Sequence, residues 1–191
     1  TVTLLGKEAT ESKLKETLAT KPRWRAVHFA CHGLVDAERP VLSALALTPT
    51  EEDDGFLTVL DVFRMKCPAD LVVLSACETA KGKTLSGEGI VGLTRAFMYA
   101  GAASVLCTQW KVADDSTAAL MACFYTHYRE GDSKDVALQK AMREIRTGRM
   151  ANGRPLVLPK ELGKWKQAWT HPYYWAPFIL MGEYRQTGAT P

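Results

Sequence analysis

The chain has 191 residues, 47% of them apolar and 24% charged. That is enough apolar side chain for one domain with a sizeable core, and it excludes a disordered polymer. A net charge of +3 leaves no nucleic-acid footprint, and no apolar run approaches the length of a membrane span.

In chain order, residues 2–5 read as a brief strand and residues 8–18 as a Lys- and Glu-rich helix. Residues 26–31 form a continuous apolar run, the mark of a buried strand. Residues 41–47 and 56–57 flank "TPTEEDDG", whose Pro, Asp and Gly predict a hairpin turn. Thr58 and Asp61 have capping-box spacing and predict a short helix to about Lys66. Residues 71–76, "LVVLSA", are the strongest buried strand, and the glycine-rich "KGKTLSGEG" follows. Ile90, Leu93, Phe97 and Met98 have helical spacing, with Gly101 at the C′ position. A strand over 103–110 precedes helices over 116–129 and from Leu138 through Ile145; a short helix over 161–169 and a strand over 178–184 close the chain. Strands alternating with helices predict an α/β fold with a mostly parallel central sheet and helices on both faces. Residues 1–191 read as a single domain. The start at Thr1 rather than Met marks the chain as an expected piece of a longer one.

Five cysteines, at positions 31, 67, 77, 107 and 123, make an odd number with no Cys-x-x-Cys pair. They suit reduced thiols and a cytoplasmic setting better than a disulfide framework.

In open parallel sheets, ligands bind outside the carboxyl ends of the strands. Two predicted strands end on reactive residues: 26–31 runs into His32-Gly33, and 71–76 runs into Cys77-Glu78-Thr79. If these strands are neighbours, about 5 Å apart, His32 and Cys77 reach one substrate atom. A thiolate is a nucleophile, and an imidazole can take its proton and later protonate a leaving amine. The amides of Gly33 and Cys77 could donate to a developing oxyanion. The plainer alternatives are an inert buried thiol and a structural histidine, and the residues by themselves leave these open. "HFACH" also offers His28, Cys31 and His32 to a metal, but positions 28 and 31 face opposite sides of a strand. No second ligand cluster with zinc-like spacing exists.

"HFACHG", "LVVLSACETAKGKTLSGEGIVGLTRAFMYAGAASVLCTQWKVADDST", "LMACFYTHY" and "HPYYWAPFILMGEY" together resemble a CHAT domain, a caspase-like domain associated with tetratricopeptide repeats. The resemblance runs from about Arg25 to Tyr184. It implies a caspase-like three-layer α/β sandwich and a cysteine endopeptidase acting on protein or peptide substrates. His32 is then the catalytic histidine, Cys77 the nucleophile, and His28 a packed strand residue. By analogy with related peptidases, Ser75, Ala76, Trp110, Val112 and Asp114 would bind the substrate side chain at the cleavage position. Asp114, Asp115 or Ser116 could instead cap the following helix. No metal or organic cofactor is expected, and no contact with nucleic acid or membrane. The resemblance also implies a regulatory repeat or sensor domain, or an activating partner. The alternative is a catalytically silent interaction module of the same fold, or a different hydrolase or acyltransferase using the same pair.

Overall fold

A computed structural model describes residues 1–36, 38–75 and 88–185, and for residues 88–90 the backbone alone. The chain falls into two compact units, Thr1–Gln109 and Trp110–Pro191.

In the first unit, α1 (Glu11–Ala19) starts at Thr10, whose hydroxyl accepts a hydrogen bond from the Lys13 amide at 3.2 Å. Leu14 and Leu18 form its buried face. Three strands follow in the order β1 (Val27–Phe29), β2 (His32–Leu34) and β3 (Ala44–Ala46). β4 (Phe56–Thr58) pairs antiparallel with β3, so the hairpin predicted around "TPTEEDDG" is present. Gly55 closes that turn at φ +77°, where a Cβ would lie 2.8 Å from the Leu47 carbonyl oxygen. Only glycine fits there without strain.

The capping box is also present. α2 (Val59–Arg64) begins with the Thr58 hydroxyl accepting from the Asp61 amide while the Asp61 carboxylate accepts from the Thr58 amide. Two otherwise orphaned donors are satisfied together. Thr58→Ala should therefore cost about 1 kcal/mol of stability, read as a lower urea midpoint with an unchanged denaturant slope. A midpoint equal to that of the parent chain would remove the box from the account of this helix.

β5 (Val72–Leu74) and β6 (Ser104–Thr108) are buried at every position. A strand covered on both faces is apolar throughout rather than alternating, and that is how both runs read. β5 lies between β1 and β6, parallel to each, with Val27 opposite Val72 and Val72 opposite Val105. The fold is thus mixed α/β with a parallel sheet, as the apolar runs predict. α3 (Glu88–Tyr99) packs through Leu93, Ala96 and Phe97, and the Phe97 ring meets the Phe29 ring at 5.2 Å between centroids. The helix ends in a Schellman turn: the Ala102 amide donates to the Phe97 carbonyl, the Gly101 amide donates to the Met98 carbonyl, and Gly101 takes φ +113°.

In the second unit, α4 (Asp114–Glu130) and α5 (Lys134–Thr147) form a helical hairpin turned at Gly131, which adopts φ +109°. Leu120 and Phe124 of α4, with Ala141 and Ile145 of α5, are fully buried. Lys134, also fully buried, donates from Nζ to the Glu183 carbonyl at 2.9 Å. That bond ties the start of α5 to the segment after β7 (Phe178–Gly182).

Three expectations differ from the structure. Residues 2–5 are not a strand; Val2 and Leu5 are exposed, and a 3-10 turn at Gly6–Glu8 follows. Residues 161–169 do not form one helix but two short 3-10 turns, Lys160–Leu162 and Gln167–Thr170, with Gly163 between them. The first α4 residues do not cap it: the N-cap is Ala113, without a side-chain bond, and Asp114 to Ser116 already lie in the helix. Among the described residues, no helix is long and apolar enough to cross a membrane.

Candidate active site

The expected neighbours are neighbours. β1 and β5 pair in parallel, with His28 opposite Val73 and Phe29 opposite Leu74, so their carboxyl ends lie at one edge of the sheet. The Ser75 amide donates to the Phe29 carbonyl at 3.0 Å and carries the pairing one residue further. His32 stands three residues after Phe29, and in the sequence Cys77 stands three after Leu74. Ala76 and Cys77 lie outside the described residues, as do the next ten positions.

His32 does not simply end the first strand. β1 stops at Phe29, the chain bends at Cys31, and His32 opens β2, which pairs antiparallel with β3 through His32–Ala46, Gly33–Leu45 and Leu34–Ala44. The imidazole is exposed, whereas Gly33 is buried. An exposed ring on a paired strand suits a proton-transfer group, because the ladder holds its backbone while the ring keeps access to solvent.

Ser75 and His28 share a contact that the sequence did not disclose. His28 Nε2 lies 2.8 Å from Ser75 Oγ, within hydrogen-bond distance. The His28 side chain keeps solvent access, yet desolvation of its ring holds its pKa below the ordinary imidazole value. The ring is therefore neutral at pH 7 and able to donate or accept with a hydroxyl. The signal for this pair was the register of β1 against β5, which a single sequence does not carry.

Four of the five cysteines are described, and all four are free thiols. Burial pushes Cys31 and Cys107 up to about 11, and Cys67 and Cys123 up to about 12. Glu144 beside Cys123 adds to its shift, since a nearby carboxylate opposes a thiolate. All four remain protonated at neutral pH, which leaves them poor nucleophiles. Iodoacetamide at pH 7.5 should accordingly leave these four unmodified in the native chain and alkylate them in 8 M urea, as peptide mass mapping would show. Rapid native labelling of Cys31, the half-buried one of the four, would contradict its raised pKa. The linkage has a definite sign: raised thiol pKa values stabilise the fold below the unfolded value near 9, and that stability is lost as pH rises toward 11–12.

The remaining predicted positions belong to the second unit. Trp110 is half-buried, and its indole donates to the Tyr173 carbonyl at 3.1 Å. Val112 is buried, 1% exposed. Asp114 is the exposed first residue of α4, and the next residue, Asp115, meets Lys166 Nζ at 2.5 Å. Lys166 holds the Asp115 carboxyl below its usual range, helped by the Ser116 amide. Among the described residues, no group of three or more His, Cys, Asp or Glu side chains is arranged to hold a metal.

Residues 1–183 match the family model described as the CHAT domain. Human tetratricopeptide repeat protein 28 is 30% identical over 126 residues, covering 66% of this chain and 4% of that protein. Mouse tetratricopeptide repeat protein 28 is 27% identical over 217 aligned positions, covering 94% of this chain and 8% of that protein. The chain spans less than a tenth of the length of these curated relatives.

Proposed function

Because the chain belongs to the CHAT domain family, we propose that it is a cysteine endopeptidase with the caspase-like three-layer sandwich, using Cys77 and His32 on protein substrates. The observation that carries the reading is the parallel pairing of β1 with β5, in which Phe29 and Leu74 are opposite and His32 and Cys77 follow at equal offsets. The high thiol pKa values of the other four cysteines support the same choice of nucleophile.

In the proposed reaction, His32 takes the thiol proton and the Cys77 sulfur attacks the scissile carbonyl carbon. The Gly33 and Cys77 amides donate to the oxyanion that forms. The carbon–nitrogen bond then breaks, and the amine leaves with the proton from His32. Water attacks the resulting thioester, giving one proton to His32, which returns it to the Cys77 sulfur as the acid product departs. These steps use no metal or redox partner. A reducing cytoplasmic setting keeps such a thiol available. The names of the relatives support a repeat-bearing region or partner that governs the activity.

The test is a panel of peptidyl acyloxymethyl ketones differing at the cleavage-position side chain, followed by mass spectrometry. The expected result is one adduct on Cys77 and none on the chain with His32→Ala. A folded chain that acquires no adduct would favour an interaction module of the same fold.

A further inference from the structure

The first unit carries a cleft of about 700 Å³ that none of the peptidase chemistry uses. Its size falls in the range of about 300–1,000 Å³ typical of ligand clefts. It lies between α1, α2 and the segments that lead into β1 and β5, because Lys21 and Pro22 precede β1 while Lys66 and Pro68 precede β5. It therefore opens at the amino edge of the parallel strands, opposite the edge from which His32 follows.

The lining has two chemistries. Leu18, Pro22, Met65 and Pro68 supply an apolar floor. Lys15, Lys21, Arg64 and Lys66 supply four cations against the single carboxylate of Asp61. That carboxylate is already engaged in the α2 capping box, where it accepts from the Thr58 amide at 3.1 Å. Lys15 is bridged to Glu11 at 2.5 Å, and the Lys21 ammonium stands 4.5 Å from the centre of the Trp24 ring. Arg64 and Lys66 are exposed, and among the described residues no carboxylate lies within ion-pair distance of either. Arg64 at the end of α2 complements the helix dipole; Lys66, beyond the helix, has no such role.

We propose that this cleft binds an acidic linear segment of a partner protein, with an apolar side chain seated on Pro22 and Pro68 and carboxylates facing Arg64 and Lys66. An apolar floor with a cationic rim is complementary to alternating apolar and acidic residues. Cations drawn from α1, the approach to β1, α2 and the approach to β5 match carboxylates distributed along a chain better than one compact anion. The site is independent of the peptidase reading, so Cys77→Ala should leave binding unchanged.

The experiment selects nine-residue peptides from a random display library against the 191-residue chain. The selected peptide, labelled with fluorescein, is then titrated by anisotropy at 50 and 300 mM NaCl. The expected result is enrichment of Asp and Glu around an apolar residue, with weaker binding at the higher salt. Arg64→Glu combined with Lys66→Glu should weaken binding at least tenfold, with the circular dichroism spectrum unchanged. Ala19→Arg separates a cleft from a general basic surface, because it adds a cation while filling the lining. Weaker binding in A19R supports the site; tighter binding overturns it. Selected peptides without acidic enrichment, no selected peptide at all, or indifference to the double reversal would also overturn it. Displacement of the peptide by equimolar inorganic phosphate would assign the rim to a small anion instead.

Discussion

Cys77→Ala should lower peptide hydrolysis by at least about 10³-fold while leaving the urea midpoint close to that of the parent chain. Removing a nucleophile leaves only binding and oxyanion stabilisation, which recover a small part of the rate. His32→Ala should cost a comparable factor, because a thiol without its base is a weak nucleophile. The double variant should be little worse than either single one, since losses at a nucleophile and the base that serves it do not add. The measurement is kcat/KM on a peptide identified by positional scanning, for all four chains under one set of conditions. Cleavage persisting in Cys77→Ala would sink the assignment. Additive losses in the double variant would show that the two residues serve separate steps.

Phe97→Ala should destabilise the fold by about 3–5 kcal/mol, the usual cost of emptying a fully buried aromatic site. Phe97 is completely buried, and its ring packs at 5.2 Å against Phe29, the last residue of β1. The variant loses transfer free energy, leaves a cavity against the sheet and removes an aromatic pair. Phe97→Leu keeps much of the volume and should cost about 1–2 kcal/mol. Urea titration at fixed pH reads both effects. A loss below 1 kcal/mol for the alanine variant would mean that α3 collapses onto the sheet without it. The consequence reaches the candidate site, because Phe29 is paired with Leu74 and the chain turns toward His32 just beyond it.

The particular elements show what was legible. Residues 71–76 read as a buried strand because every position is apolar or small, and β5 is buried on both faces. Thr58 and Asp61 announced a helix start because the capping box is a local device, complete within four residues. Gly101 announced a helix end because the Schellman turn needs a positive φ at that point. The misses share a physical character. Residues 2–5 look like a strand, but a strand persists only with a partner, and Val2 and Leu5 remain exposed. His32–Leu34 is a strand of three residues whose reason to exist is Ala44–Ala46, ten and more positions away.

From the sequence alone came most of the order of elements, apart from residues 2–5, residues 161–169 and the strand His32–Leu34, and the family resemblance. These are local patterns, written within runs of a few residues. Tertiary structure decided which strands are neighbours, that His32 belongs to an antiparallel ladder, that His28 meets Ser75, and that four thiols are held protonated by burial. Each of those depends on what lies across a gap in space rather than along the chain. Register and desolvation arise only once the sheet is assembled.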